Sequence, residues 1–326
     1  MATKLWTLHF MRICLANLLL FMSLYLLYPV LPVMMASRLG VPVSQTGVIF
    51  ILFTLAMFFI GPFHAYLVDV YKRKYICMLS FGVMVAATAG YTLVQNATHL
   101  LMLCIVQGLS FGMAATAGIT LAIDITNSTF RSAGNVVFSW AARLGMIIGA
   151  ALGGYLFRTH GFETLLYVAV ALGALGILFV SRVYVPFRAP IGMKVCSMDR
   201  FLLLRGLIPA FNLILIAFIP GLMLPVLAGA PSDVPVGGET VPFFALVGCG
   251  FLLSVLIVKL FFRYDNKMWL QIVVGLVTVI GSMAMLFSPE TSWNAPAAVL
   301  MGLGLGLVPP EFLMMFVKLS QHCQRG

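Results

Sequence analysis

The chain has 326 residues, of which 62% are hydrophobic and 9% are charged, and its mean hydropathy is +1.09. A composition this apolar excludes an ordinary water-soluble domain and indicates an all-α polytopic membrane protein. Continuous apolar blocks of about twenty residues exclude a membrane β-barrel, whose strands alternate over roughly ten residues. The six cysteines are isolated from one another, so we expect no metal site, disulfide or cofactor.

The apolar runs predict ten membrane-spanning helices, each long enough to cross hydrocarbon of ~30 Å. In chain order they are 7–35, 45–68, 75–94, 100–123, 134–157, 165–180, 206–228, 241–262, 268–287 and 295–317. The longest connector, 181–200, contains two prolines and four basic residues. We therefore predict a six-helix bundle at 1–181, a cytoplasmic linker at 182–205 and a second, incomplete bundle at 206–326.

The basic residues are distributed unevenly between the predicted loops. A cytoplasmic N-terminus would place sixteen of the nineteen lysines and arginines on the inner face. The outer loops would hold Arg38 and Arg158 together with the acids Glu163, Asp233, Glu239 and Glu290. This asymmetry predicts a cytoplasmic N-terminus. Contact of these basic residues with anionic lipid also accounts for the net charge of +10, so the charge does not indicate nucleic-acid binding.

A short glycine-rich pattern occurs twice at a fixed distance from an arginine. Gly108 begins G-L-S-F-G and precedes Arg131 by 23 residues, and Gly302 begins G-L-G-L-G and precedes Arg325 by 23. The two copies are offset by 194 residues, and the first copy holds six predicted helices whereas the second holds four. The repeat predicts that the chain is a fragment lacking two helices, with a complete ten-helix protein as the alternative.

Charged residues separate predicted helices 2 and 3. The segment 65–74, AYLVDVYKRK, resembles the G-x-L-A-D-R-x-G-R-K signature of the major facilitator superfamily. Leu67, Asp69, Arg73 and Lys74 match that signature, and the two six-helix halves joined by a basic linker are similar to the family as well. The resemblance implies that a substrate binds between the halves near the bilayer midplane, and that the halves tilt to open the site to one side of the membrane at a time.

The same resemblance implies a cytoplasmic gating loop. Its residues are Asp69, Lys72, Arg73, Lys74 and Arg131. In the family the aspartate engages the positive end of helix 11, an arrangement that favours a carboxylate by ~0.3–1 kcal/mol. The alternative is that the basic residues only hold the loop on the inner face.

Predicted helix 4 carries part of a second motif. It resembles the L-x-x-R-x-x-Q-G pattern of proton-coupled drug antiporters at Leu101, Gln107 and Gly108, but Cys104 stands at the arginine. Because a cysteine supplies no permanent cation, this departure argues against proton antiport of that type.

Predicted helix 5 carries a glycine stripe and a buried charge. Gly145, Gly149 and Gly153 recur every four residues, a spacing that indicates close helix packing. Arg143 lies ~15 Å from the cytoplasmic end of the helix and on a different face. A charge at this depth is costly and usually functional. We predict that it lines a cavity and binds an anionic group or pairs with a buried acid, with snorkelling or a structural pair as the alternative.

Predicted helix 10 contains Glu311 directly after Pro309 and Pro310. Helices 1, 4, 7 and 10 line the cavity in the family that the chain resembles, so we expect Glu311 to face it and to carry a coupling proton. A static ion pair with Arg143 or with a cytoplasmic-end residue is the alternative. Weaker polar candidates for the cavity wall, each with an interhelical hydrogen bond as its alternative, are Asn17, Tyr25, Tyr28, Gln107 and Asn212.

Together these patterns predict a multi-pass transporter of the inner or plasma membrane that moves a small organic solute, with protons as the candidate coupling ion. The partial motifs are most similar to the drug and sugar efflux branch, so the resemblance implies export. Uptake by symport or facilitated diffusion is one alternative, and a non-transporting receptor or membrane enzyme is another. The sequence has no H-E-x-x-H, G-x-S-x-G or phosphate-binding loop, so we expect neither an enzyme nor a primary pump.

Overall fold

The structure is a computed structural model that describes residues 5–42, 45–185, 195–196, 204–229, 233–236, 239–261, 268–288 and 290–319. Span 1 consists of helices Leu8–Leu27 and Leu31–Leu39, and span 2 of Val48–Phe59 and Gly61–Val70. Span 3 is Arg73–Gly90, span 4 is Ala97–Ile125, and spans 5 and 6 share the segment Arg131–Ser181. Spans 7 to 10 are Leu207–Gly229, Phe243–Phe261, Met268–Leu286 and Asn294–Leu319. Short 3-10 turns lie at Tyr91–Leu93, Ser128–Phe130, Leu204–Gly206 and Thr291–Trp293.

Length and apolar composition identify the membrane spans among the described residues. Seven helices qualify by themselves, or eight if the bent pair of span 2 is one span. Two features account for the difference from the ten predicted helices. The 49-residue segment Ala133–Ser181 counts once although it breaks at Gly161, and Leu207–Phe218 is apolar but shorter than the others. The predicted all-α polytopic membrane fold is confirmed.

Prolines break two spans that the sequence predicted as continuous, and one glycine separates two spans that it predicted as distinct. Span 1 is interrupted next to Pro29, and span 2 turns by 46° next to Pro62. Proline has no backbone N–H for the carbonyl one turn earlier, and its ring crowds that carbonyl. Gly161, with φ 83° and ψ 178°, separates span 5 from span 6 in a conformation that other residues rarely adopt.

A two-stranded hairpin joins spans 7 and 8, where the sequence predicted a connector between two helices. Strand β1, Asp233–Val236, pairs antiparallel with β2, Glu239–Pro242, and Val236 lies opposite Glu239. Val241, which was predicted to begin helix 8, belongs to β2, so span 8 begins at Phe243. The Gly-Gly pair at 237–238, outside the described residues, is a known hairpin signal in sequence.

Glycines bring span 5 into backbone contact with span 1. A Cβ atom at Gly145, Gly149 or Gly153 would meet the carbonyl oxygen of Leu18, Met22 or Leu26, respectively. For Gly149 the distance to that oxygen would be 2.7 Å, which is closer than a real contact. The stripe therefore serves helix packing, as its spacing indicates.

Span 5 also contacts the spans that follow the linker. One apolar cluster, centred on Phe243, Phe251 and Val308, includes Ile147 and Ala150 of span 5. Span 5 lies against spans 8 and 10, and the second helix of span 1 lies against span 7. Most of the predicted linker at 182–205 is outside the described residues, so the division into two bundles stays a prediction.

Candidate functional site

A cavity of about 160 Å³ lies between spans 1, 5, 7 and 10. Its lining residues are Tyr25 of span 1, Arg143, Met146 and Ile147 of span 5, Leu213, Ile216, Ala217 and Gly221 of span 7, and Leu305 and Pro309 of span 10. The wall is largely apolar, and Tyr25 and Arg143 add a hydroxyl group and a positive charge. Span 5 lines this cavity in the place expected for span 4.

Arg143 reaches the cavity because the glycine face of span 5 is turned toward span 1. Its Nη1 atom lies 3.7 Å from the sulfur of Met146, one turn further along the helix. A thioether is only a weak acceptor, whereas a guanidinium has five N–H donors. Among the described residues, no ion pair joins Arg143 to a carboxylate. The arrangement therefore exposes a cation to whatever occupies the cavity.

Tyr25 connects the cavity to an aromatic cluster inside the first six spans. Its ring stacks on Tyr28 with centroids 5.3 Å apart and on Phe21 with centroids 6.4 Å apart. Tyr28 is buried, does not line the cavity, and packs against Phe50 and Phe53 of span 2. The two tyrosines thus lie at different depths in the same wall, with Tyr25 at its surface.

Glu311 is buried, with 9% of its surface exposed, but it does not line the cavity. Leu307, one turn earlier, accepts a hydrogen bond on its carbonyl from Gln271 Nε2 of span 9 at 2.9 Å. Gly304, two turns before Glu311, also packs against span 9. Glu311 therefore lies on the face of span 10 turned toward span 9. No ion pair joins it to Arg143, whereas a pair with a residue at the cytoplasmic end of the helix stays a prediction.

The two prolines of span 10 alter the backbone next to the cavity. Pro309 and Pro310 lie inside a continuous helix and have no N–H groups for the carbonyls of Leu305 and Gly306. Leu305 and Pro309 both line the cavity. We expect the Leu305 carbonyl to be a hydrogen-bond acceptor close to the cavity wall.

Gln107 belongs to a buried polar network between spans 3 and 4. Its Oε1 accepts a hydrogen bond from the Tyr91 hydroxyl at 2.8 Å, and its Nε2 donates to the Thr88 hydroxyl at 2.9 Å. The Tyr91 hydroxyl also lies 3.2 Å from Cys104 Sγ. Cys104, at the arginine position of the antiporter motif, therefore has a neutral partner and is not among the residues that line the cavity.

The two candidate asparagines also lie away from the cavity lining. Asn17 is buried and donates from Nδ2 to the carbonyl of Phe138 in span 5 at 3.0 Å. Asn212 is half-buried and donates to the carbonyl of Ile208 in its own helix at 3.0 Å. The first is a hydrogen bond between spans, and the second is one within a span.

A cluster of charges joins neighbouring ends of spans 2, 3 and 4. Arg73 Nη1 donates to both carboxylate oxygens of Asp124 at 2.9 Å, and its Nη2 donates to Asp69 Oδ1 at 2.7 Å. Between 8% and 13% of each side chain is exposed. Sequence reasoning missed Asp124 because span 4 was predicted to end one residue earlier. The exposed Lys72 lies 5.8 Å from the Tyr75 ring centroid.

Two other gating-loop candidates are outside this charge cluster. Lys74 is half-buried next to Arg73, and Arg131 is exposed at the first residue of span 5. Neither forms a salt bridge with Asp69 or Asp124. The cluster therefore combines two residues of the predicted loop with one from span 4.

Comparison with known proteins identifies a family. The chain matches the family model of the Major Facilitator Superfamily over residues 13–326. The quinolone resistance protein NorA of Staphylococcus aureus is 27% identical over 161 residues, which are 49% of this chain and 41% of that relative. The uncharacterized MFS-type transporter YvkA of Bacillus subtilis is 27% identical over 172 residues, 51% of this chain and 38% of that relative. Each match thus spans about two fifths of the length of the relative.

Solved structures share the fold at low sequence identity. The human organic anion transporter MFSD10 aligns with a TM-score of 0.70 at 17% identity, covering 94% of this chain and 84% of that one. The peptide transporter POT in complex with alafosfalin aligns with a TM-score of 0.71 at 14% identity, covering 97% and 83%. Both likenesses concern the arrangement of helices.

Proposed function

The chain belongs to the major facilitator superfamily, and we propose that it is a secondary transporter that moves a small organic solute by alternating access. Its family and fold are those of transporters rather than enzymes. The cavity between spans 1 and 5 on one side and spans 7 and 10 on the other carries the proposal. A ligand held between two groups of spans becomes accessible from either side of the membrane when the groups tilt.

Export is the proposed direction. The similarity to NorA, a protein named for quinolone resistance, supports efflux over 161 residues of the chain. The asymmetry of the basic residues supports a cytoplasmic N-terminus in an inner or plasma membrane. Uptake by symport or facilitated diffusion is the second candidate, and the departure at Cys104 from the antiporter motif is the observation that favours it.

The cluster of Arg73, Asp69 and Asp124 is the proposed cytoplasmic gate element. One guanidinium holds the ends of three spans together through charge-assisted hydrogen bonds. These ends should therefore move as one unit when the inner side opens or closes. Lys72, Lys74 and Arg131 then act as surrounding positive charge that keeps this end at the inner face.

Glu311 is the proposed site of proton coupling. Ionisable residues inside membrane spans are rare, and carboxylates among them often form proton relays. Because Glu311 lies toward span 9, its protonation would act on the packing of spans 9 and 10 rather than on the ligand directly.

The cavity can be tested by filling it. Ala217→Phe would place a ring in the cavity, whereas Leu215→Phe places a ring at an exposed position of the same helix that does not line the cavity. Cells expressing each form would be screened for the accumulation of a panel of organic solutes, and the affected solute would then be followed in reconstituted vesicles. We expect Ala217→Phe to abolish flux and Leu215→Phe to retain it. Equal flux through both variants would show that the path lies elsewhere.

A further inference from the structure

The charge on the cavity wall has no negative partner among the described residues. Arg143 lines the cavity, and its Nη1 atom lies 3.7 Å from the sulfur of Met146. Glu311 of span 10 does not line the cavity either, because it faces span 9. A buried charge without a partner is expensive, so a ligand that supplies the opposite charge binds with a large electrostatic advantage.

The remaining lining residues define the body of the ligand. Ile147, Leu213, Ile216 and Leu305 present hydrocarbon, and the described lining residues include no second cation. One positive charge selects one negative charge, and an apolar wall selects an apolar body. A cavity of about 160 Å³ is close to the ~150 Å³ of an engineered apolar cavity that binds benzene. The space therefore suits a group the size of a single ring.

We propose that the substrate is a singly charged organic anion with a compact apolar body, held through its anionic group by Arg143. The planar guanidinium can donate two parallel hydrogen bonds to a carboxylate or sulfonate, while the body occupies the space between Ile147 and span 7. The Tyr25 hydroxyl is the second polar group available to the ligand. The inference rests on the proposed function, since it takes this cavity as the substrate site.

Three probes of similar size, each with a fixed charge near pH 7, test the charge preference of the cavity. Benzenesulfonate is an anion, benzenesulfonamide is neutral near pH 7, and phenyltrimethylammonium is a cation. A ligand that binds the native state raises the unfolding temperature Tm by mass action, so the purified full chain would be titrated with each probe. We expect benzenesulfonate to raise Tm and the other two probes to leave it unchanged. A larger shift with the neutral or cationic probe, or no shift with the anion, would overturn the proposal.

Variants then assign the anion to Arg143. Arg143→Gln should weaken benzenesulfonate binding by about tenfold or more, because a charged hydrogen bond is lost. Arg143→Lys should retain part of the affinity, since the charge stays but the fork geometry does not. Arg38→Gln, which removes an exposed cation at the outer end of span 1, is the matched control and should bind as the wild type does. Undiminished binding of benzenesulfonate by Arg143→Gln would overturn the assignment. If that variant fails to fold, the three probes on the wild-type protein still test whether the ligand is an anion.

Counterflow of labelled benzenesulfonate in reconstituted vesicles separates this inference from the proposed function. Arg143-dependent binding without flux would leave the anion site in place and overturn transport. The opposite result is flux of a neutral or cationic solute that is blocked by Ala217→Phe and unchanged by Arg143→Gln. It would leave transport in place and overturn the anion preference.

Discussion

Gly302 of span 10 lies so close to the carbonyl oxygen of Val247 in span 8 that a Cβ atom would overlap with it. The same relationship joins Gly108 of span 4 to the carbonyl oxygen of Phe53 in span 2. Gly302 follows Gly108 by 194 residues, and Val247 follows Phe53 by the same 194. The offset noticed in the sequence thus also relates the packing of two helix pairs.

A second pair of contacts repeats with the same offset. A Cβ atom on Gly112 would lie 2.8 Å from the Met57 side chain, and one on Gly306 would lie 3.4 Å from the Phe251 ring. Phe251 follows Met57 by 194 residues, as Gly306 follows Gly112. Spans 2 and 4 and spans 8 and 10 therefore share one packing geometry although their other side chains differ.

The repeat predicts matched effects of matched substitutions. Gly108→Ala and Gly302→Ala should each lower stability by about 1–3 kcal/mol, because the added methyl group has no space against a backbone carbonyl. Gly82→Ala is the control, since no atom lies within 4 Å of its added Cβ, and it should be neutral or stabilising by up to ~1 kcal/mol. Thermal unfolding in detergent would measure all three. Destabilisation at only one of the two repeat positions would contradict the shared geometry.

The charge cluster predicts non-additive losses. Arg73→Gln should destabilise the protein by about 3–5 kcal/mol, because it leaves two carboxylates close together without their shared cation. Asp124→Asn in the same chain should restore part of that loss. The exposed Lys72→Gln substitution should cost little. Unfolding measurements on the double-mutant cycle would give the coupling energy, and a value near zero would show that Arg73 does not hold span 4.

Neutralising Glu311 is expected to uncouple transport from a proton gradient. Glu311→Gln retains the size and hydrogen-bonding capacity of the side chain but cannot release a proton. In vesicles with an imposed pH gradient, the variant should lose the gradient-driven stimulation while exchange of solute at equal pH continues. Glu163→Gln, at an exposed position after Gly161, should retain the stimulation. Wild-type stimulation in Glu311→Gln would remove Glu311 from the proton path.

Arg143 and Glu311 should behave as independent sites. No ion pair joins them, and they face the cavity and span 9, respectively. The changes in stability for Arg143→Gln and Glu311→Gln should therefore add to within about 0.3–0.5 kcal/mol in the double variant. A larger interaction energy, measured in the same detergent, would indicate a pairing that forms in another state of the transport cycle.

Local patterns predicted the spans better than their irregularities. The predicted apolar runs coincide with helices, seven or eight of which qualify as membrane spans among the described residues, because hydrophobic length is a property of the segment itself. The breaks at Pro29 and Pro62 depend on how neighbouring helices pack against the freed backbone, which apolar length alone does not encode. The hairpin was signalled by Gly237 and Gly238, but the high apolar content around Val241 favoured a helix in the prediction.

The sequence predicted that a charged residue belongs to the site, but it did not predict which residues the charged side chains face or contact. Arg143 was identified from its depth, and the structure places it on the cavity wall. Glu311 was expected at the same wall, yet its face is decided by the rotation of span 10 against span 9. Asp124 gave no local signal, because its partner Arg73 is 51 residues away. In the sequence, Ala217 and the other apolar lining residues cannot be distinguished from residues that face lipid.

The guanidinium of Arg143, which has no carboxylate partner in the described part of the chain, has an electrical consequence. When the cavity changes sides with a bound anion, the two opposite charges cancel; when it changes sides empty, the guanidinium is displaced alone. Moving one elementary charge through the full field costs about 2.3 kcal/mol per 100 mV. Voltage should thus act on the unloaded half of the cycle, and polarising the vesicles should alter turnover without altering which solutes are accepted.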